Sequence, residues 1–428
     1  MPCAPAEHLL RFFQQHPAPS YLIGFSGGLD SHVLLHACAG LRGQYPHLSF
    51  RALHIDHGLQ AMSAAWAAHC HAVCADLEMP LLVETLQLVI PAGSSVEAVA
   101  RTARYAAFSK HLQAGELVLT AHHQNDQAET LLLHLLRGSG VDGLAAMPEI
   151  RTFAMGFLGR PLLGCSRAEL AAYAKQHRLN VIDDPSNLDS RFDRNFLRNQ
   201  VMPLLEQRWS AAGKTLARAA RLQGESRTLL AGFLRDKLQL MQGKQPNTLS
   251  VSKLLAEEPS MQKAVLREWL AQRGFRLPEE KKLRQVLHDV LQARADATPC
   301  VHWDSCEVRR YRDDVYAMLP LSAHDPKQVF VWDTREPLVI ASLGRALVAG
   351  AGYPEVVTVR FRQGGESVYL PERGGYHSLK HLLQEWGVPP WERERLPLVY
   401  VGERLIGLHP RFELQTDNPF KVLRIVGD

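Results

Sequence analysis

Residues 21–121 alternate short apolar runs with runs of helical period, and this alternation limits the fold more than any other feature. Strand candidates lie at 21–25, 50–55, 81–86 and 116–121, with helix candidates at 31–40, 62–77 and 95–113 between them. Strands joined through helices pair in parallel, because a parallel neighbour needs a long crossover. In such a sheet ligands sit beyond the carboxyl ends of the strands. The first strand candidate runs straight into Ser26-Gly27-Gly28-Leu29-Asp30-Ser31 and then a helix. Backbone N–H groups in a glycine turn, aided by a helix N-terminus, cradle phosphate. Adjacent glycines let the backbone approach phosphate oxygens closely. The loop has no lysine, so it is not a Walker A motif. Taken alone, these six residues also fit an ordinary strand-to-helix turn.

Other groups fall at neighbouring strand ends. The second strand candidate ends in Asp56-His57-Gly58, where Asp56 suits an adenosine or metal contact and equally suits a turn aspartate. After the fourth comes Ala121-His122-His123-Gln124-Asn125-Asp126-Gln127-Ala128-Glu129-Thr130. His122, Asp126 and Glu129 fall at i, i+4 and i+7, one polar face if a helix begins near 124. Carboxylates there can hold Mg²⁺ on a pyrophosphate or take a proton from an amine. The competing reading is the preference of acids for a helix start. Ser94 and Glu97 fit a capping box, followed on the same face by Arg101 and Arg104. Asp183-Asp184-Pro185-Ser186-Asn187 precedes Arg194 and Arg198, two guanidinium forks one helical turn apart. Cys70 and Cys74 lie one helical turn apart inside an apolar pattern with no second pair, so no dedicated metal site is expected.

With 428 residues, 46% hydrophobic and 21% charged, the chain has room for two to four globular domains. Its net charge of +4 is compatible with a polyanionic partner. No apolar run approaches the ~18–20 residues of a membrane helix, and residues 1–17 lack a secretory core. Seven scattered cysteines suit a reducing cytoplasm. Residues 208–240 read as one long helix, 250–296 as further helices, and 301–318 as a strand pair split at 310/311. A polar break at 322–327 precedes the tail, where strands surround one helix at 378–386. The tail interleaves Arg360, Arg362, Lys380, Arg393, Arg395, Arg404 and Arg411 with aromatics, and its cations suit RNA phosphate contact. The expected fold class is α/β: a parallel-sheet N-terminal domain whose SGGLDS loop resembles that of the ATP pyrophosphatases, a mostly helical middle domain and a small α+β C-terminal domain. The expected bounds are 1–207, 208–325 and 351–428, with 326–350 as a connecting segment.

The ordered set of motifs is specific. It comprises SGGLDS at 26–31, HIDHGL at 54–59, AHHQNDQAET at 121–130, LLRGSGVDGLAAM at 135–147, RPLL at 160–163, DDPSN at 183–187, RNFLR at 194–198 and RFRQGGE at 360–366. This set resembles the bacterial tRNA(Ile)-lysidine synthetases, long form, within the N-type ATP pyrophosphatases. Asp183 stands where a glutamate is common. The resemblance implies ATP, as Mg-ATP, adenylating cytidine 34 in the CAU anticodon of a minor tRNA(Ile). The ε-amine of L-lysine then displaces AMP from C2 of the base. It implies cofactor contacts at Ser26, Gly27, Gly28, Leu29, Asp30, Ser31 and Asp56, and catalytic roles for His122, Asp126, Glu129, Arg101 and Arg198. Asp126 and Glu129 both remain candidates for deprotonating the lysine amine. The alternatives weighed are a tRNA thiolase, which generally needs reactive cysteines, a GMP or NAD synthetase, which would normally take ammonia from a partner domain, and a tRNA-binding module without catalysis.

Overall fold

Tyr21, Leu22 and Ile23 are all buried, and their side chains alternate between two cores, as the period of a strand requires. They open the central strand of a sheet with helices on both faces. A computed structural model of the chain describes residues 4–58, 62–86, 88–91, 96–294, 297–348, 355–370, 373–408 and 424–426. Two units emerge, Met1–Leu230 and Ala231–Asp428.

In the first unit, α1 (Ala4–Gln15) precedes β1 (Tyr21–Gly24), α2 (Leu29–Leu41), β2 (Phe50–Asp56), α3 (Ser63–Asp76), β3 (Leu81–Thr85), α4 (Val96–His111), β4 (Leu117–Leu119) and α5 (Gln124–Leu136). The short α6 (Val141–Leu144) leads to the hairpin β5 (Ile150–Phe153) and β6 (Gly156–Gly159), then α7 (Arg167–Gln176). The sheet order is β3-β2-β1-β4-β6-β5, parallel except for β5 at the edge. Strand order reverses between β1 and β4, which makes their carboxyl ends the switch point where ligands bind in such sheets. One core packs Leu9, Phe12, Tyr21, Ile23 and Leu34; the other packs Leu22, Leu53, Phe108, Val118 and Leu158. The four strand candidates match β1 to β4 within two residues at each end. The hairpin β5–β6 was not anticipated, because its four-residue strands are too short to show a period.

A buried ion pair ties β2 to the residue that precedes β4. Glu116 is fully buried and accepts from Arg51 Nε at 2.8 Å, from the Gln113 N–H at 3.0 Å and from Ser20 Oγ at 3.3 Å. Burial opposes its charge, but these donors hold its carboxyl below the usual range. Such a carboxylate stabilises the fold above the unfolded carboxyl pKa, and that stability is lost as pH falls through the lower folded value. Glu116→Gln is expected to destabilise the first unit by about 3 kcal/mol, because it strands the Arg51 charge. Urea denaturation of the two chains checks this, and an unchanged midpoint would contradict it.

The chain continues through α8 (Asp193–Phe196), a π turn at Leu197–Val201, α9 (Met202–Arg208) and the long α10 (Ala212–Leu240). The second unit then holds β7 (Leu249–Ser250), α11 (Val251–Leu255), α12 (Pro259–Gln272), α13 (Glu280–Gln285), β8 (Cys300–Trp303), β9 (Cys306–Tyr311) and β10 (Asp314–Met318). The expected strand pair at 301–318 is therefore three strands. Asp304 and Arg312 adopt φ of +42° and +56°, and the tight turns they make break the run twice. Beyond these lie β11 (Val329–Asp333), β12 (Leu338–Ile340), β13 (Arg345–Val348), β14 (Val356–Phe361), β15 (Ser367–Leu370), β16 (Gly375–Ser378), α14 (Leu379–Glu385), α15 (Pro390–Arg393), β17 (Pro397–Val401), β18 (Arg404–Leu408) and β19 (Arg424–Val426). The helices around the four-stranded β7-β10-β9-β8 sheet and the antiparallel β11-β14-β17-β18 sheet agree with the helical middle and α+β tail.

Several tail arginines make contacts within the unit. Arg360 pairs with Glu403 at 3.3 Å and lies over the Tyr400 ring. Arg393 donates to Tyr311 Oη, and Arg395 to the Ser322 and Ser342 carbonyls. Arg411 lies outside the described residues. Among the described residues no helix is long and apolar enough to cross a membrane.

Candidate active site

The turn after β1 is shaped by contacts a sequence does not announce. Gly27 has φ of +82°, and a Cβ there would stand 2.5 Å from Ile182 Cδ1 and 3.1 Å from Cys70 Sγ. The Ile182 N–H donates to the Gly27 carbonyl at 3.0 Å, so the segment that carries Asp183 and Asp184 is hung on the loop. Inside the loop, Ser31 Oγ accepts from the Ser26 N–H at 3.2 Å and donates to the Gly28 carbonyl at 3.0 Å. Gly28 is the N-cap of α2 and offers no side-chain acceptor, which leaves the first-turn N–H groups for a ligand. Gly27→Ala is expected to distort this turn and to weaken nucleotide binding at least tenfold, a strain of ~1–3 kcal/mol. Calorimetric titration with ATP checks it, and native affinity would contradict the shaped-loop account.

Across the switch point, His123 is the N-cap of α5. Its Nδ1 accepts from the Asn125 N–H at 3.2 Å, while the His123 backbone N–H donates to Asp126 Oδ2 at 2.9 Å. His122 precedes the helix, so the spacing i, i+4, i+7 does not put it on the face of Asp126 and Glu129. Instead His122 Nδ1 is 2.9 Å from Thr120 Oγ1. Burial, with Arg160, Arg194 and Arg101 nearby, pushes its imidazole to about 3 against the pull of Asp126. His122 is a neutral side chain here, and the histidine between the two halves of the site is His123. Its Nε2 lies 3.5 Å from both Asp30 Oδ2 and Asp126 Oδ2.

Asp126 and Glu129 meet both arginines. Arg194 donates to Glu129 Oε2 and Asp126 Oδ1, each at 2.9 Å. Arg198 donates to Glu129 Oε1 at 2.7 Å and to Asp126 Oδ1 at 2.9 Å. Both carboxylates are buried. Burial opposes the Asp126 charge, yet His123, Arg194, His122 and Arg198 outweigh it and hold its carboxyl well below the usual range. Arg194, which spacing paired with Arg198, is thus a full member of the cluster. The site combines an uncapped helix start for an anion, two guanidiniums and two carboxylates.

The remaining expected residues are placed differently. Arg101 is exposed and lies over the Tyr105 ring at 5.2 Å. Asp56 Oδ1 accepts from the Gly58 N–H at 2.8 Å, the turn role weighed for it. The Ser94–Glu97 capping box and Leu59 lie outside the described residues. Cys70 and Cys74 are buried with thiols pushed up to about 12 and about 11, and Cys70 packs under the loop. Arg160 opens the RPLL motif, to which the sequence assigned no role. It is buried beyond the end of β6, donates to the Pro148 carbonyl at 2.7 Å, and leaves its Nε without a partner.

For magnesium the relevant observation is Asp30. Its Oδ1 is buried without a hydrogen-bond partner, beside the phosphate cradle. Among the described residues no group of three His, Cys, Asp or Glu could hold an ion alone. One free carboxylate oxygen suits Mg²⁺ carried mainly by phosphate oxygens.

Comparison with known proteins points to one family. Residues 4–205 match the family model of a PP-loop domain, 249–316 that of a TilS substrate binding domain, and 357–408 that of a TilS substrate C-terminal domain. The chain is 41% identical over 412 residues to the tRNA(Ile)-lysidine synthase of Coxiella burnetii, covering 94% of this chain and 91% of that protein. It is 42% identical over 395 residues to the Xanthomonas axonopodis pv. citri protein of the same name (91% and 89% covered). To that of Escherichia coli O157:H7 it is 41% identical over 402 residues, with 92% of each covered. A match of this depth, carried end to end through the same three family models, means that the chain belongs to the tRNA(Ile)-lysidine synthase family.

Proposed function

We propose that this chain ligates L-lysine to C2 of cytidine 34 in tRNA(Ile) with a CAU anticodon, at the expense of ATP. The observation that carries the reading is the pairing, across one switch point, of an uncapped phosphate turn with a buried arginine–carboxylate cluster. In the first step O2 of the cytosine attacks the α-phosphorus and pyrophosphate leaves. The N–H groups of the 26–31 turn hold the departing phosphates, preorganised as transition-state stabilisation requires. Bound Mg²⁺, with Asp30 as its protein ligand, would neutralise charge on the pyrophosphate. Arg198 and Arg101 are the candidate cations at the phosphates.

In the second step the ε-amine of lysine attacks C2, the C2–O bond breaks, and AMP leaves. An ammonium of pKa near ~10.4 must first give up its proton. Asp126 and Glu129 attract that ammonium. Asp126 accepts the His123 backbone N–H as well as both arginines, and serves as a counter-ion that orients Arg194 and Arg198. Glu129 is then our candidate for taking the proton. The product codon assignment, AUA as isoleucine in place of AUG as methionine, follows from the altered pairing edge. The test is pyrophosphate release from ATP. Release that requires the CAU-anticodon tRNA(Ile), with AMP appearing only after lysine is added, supports the reading. Release without tRNA, or none with it, would refute it.

A further inference from the structure

His123 is 1% exposed, and both of its ring nitrogens are engaged. Because Nδ1 accepts the Asn125 N–H, the ring hydrogen sits on Nε2, between the carboxylates of Asp30 and Asp126. Asp126 is already held by the His123 N–H and two arginines. The guanidinium of Arg198 donates to Glu129 and Asp126. For Asp30, the contact that steadies the carboxylate is His123 Nε2 at 3.5 Å from Oδ2, while Oδ1 has no partner. A carboxylate fixed on one oxygen presents the other in one direction.

We propose that His123 is the positioning residue of this site: it locks Asp30 on the phosphate turn to the start of α5, so that one Asp30 oxygen faces the incoming cation-bound phosphates and Asp126 and Glu129 keep register with them. This rests on the ATP reading above. It assigns His123 no proton transfer, only orientation across the gap between β1 and β4.

Two substitutions separate the helix cap from the Asp30 contact. In His123→Asn the Oδ1 atom takes the place of Nδ1 and keeps the cap, but the side chain is too short to reach Asp30. In His123→Gln the Nε2 donor reaches as the imidazole Nε2 does, but the cap acceptor is gone. The full chain is titrated with ATP and Mn²⁺, following bound manganese by its EPR signal and unfolding by calorimetry. His123→Asn is expected to unfold like the unsubstituted chain and to bind ATP·Mn²⁺ about tenfold more weakly, because Asp30 loses its 3.5 Å polar contact with the ring. His123→Gln is expected to lose thermal stability and keep the affinity. In an Asp30→Asn background, His123→Asn should cause no further loss. Native affinity in His123→Asn, or an equal loss in the Asp30→Asn background, would overturn the proposal. If the unsubstituted chain binds no ATP, the ATP reading fails instead.

Discussion

Asp30→Ala is expected to lower tRNA-dependent pyrophosphate release by ~10²–10³-fold or more, the scale on which removal of one transition-state stabiliser is felt. Asp30 lies in the first turn of α2, with one oxygen steadied by His123 and the other buried and unpartnered. An acid at a helix start contributes only ~0.3–1 kcal/mol to stability, so the variant should fold normally. A buried oxygen without a partner costs more than that, and a cation on the phosphates offsets the cost. The substitution therefore removes function while stability rises or stays level. Affinity for tRNA, measured by filter binding, should stay near that of the unsubstituted chain. An unchanged rate of pyrophosphate release would take Asp30 out of the site.

Glu129→Gln and Asp126→Asn should each cut overall turnover by ~10²-fold or more, and they should fail at different steps. Glu129 engages Arg194 and Arg198 but caps nothing. Its amide variant should still release one equivalent of pyrophosphate and then stall before lysine transfer, accumulating adenylated tRNA. Asp126 also accepts the His123 N–H that opens α5. Its amide variant should lose both steps and unfold at lower temperature. Single-turnover assays with labelled ATP separate the steps. Full turnover in Glu129→Gln would dismiss it as the proton acceptor, and intact adenylation in Asp126→Asn would dismiss its orienting role.

The sequence was most legible where a period or a steric rule acts locally. The runs at 21–25 and 50–55 became β1 and β2 because short apolar runs and burial agree, and the glycine turn needed only its neighbours to be recognised. Residues 122–129 show the limit. Helical spacing picked out His122, but the helix begins at Gln124, and cap geometry gave the bridging role to His123. A reading that treated His123 as an N-cap would have found it. The joining of Arg194 and Arg198 to Asp126 and Glu129 spans more than sixty residues, and no local pattern carries such pairing. Ile182 under Gly27 and the buried Arg160 are likewise products of tertiary packing. In the tail, Arg360, Arg393 and Arg395 also make contacts within their own unit, which composition does not show.

The central claim is tested most directly by incubating the full chain with ATP, Mg²⁺, L-lysine and a tRNA(Ile) transcript bearing CAU, then digesting the RNA to nucleosides for mass spectrometry. The account predicts that one cytidine per tRNA, mapped to position 34, gains the mass of lysine less one water, that AMP and pyrophosphate appear in equal amounts, and that a methionine elongator tRNA with the same anticodon is left unmodified. A digest with no modified cytidine, or lysine carried at another position, would contradict it.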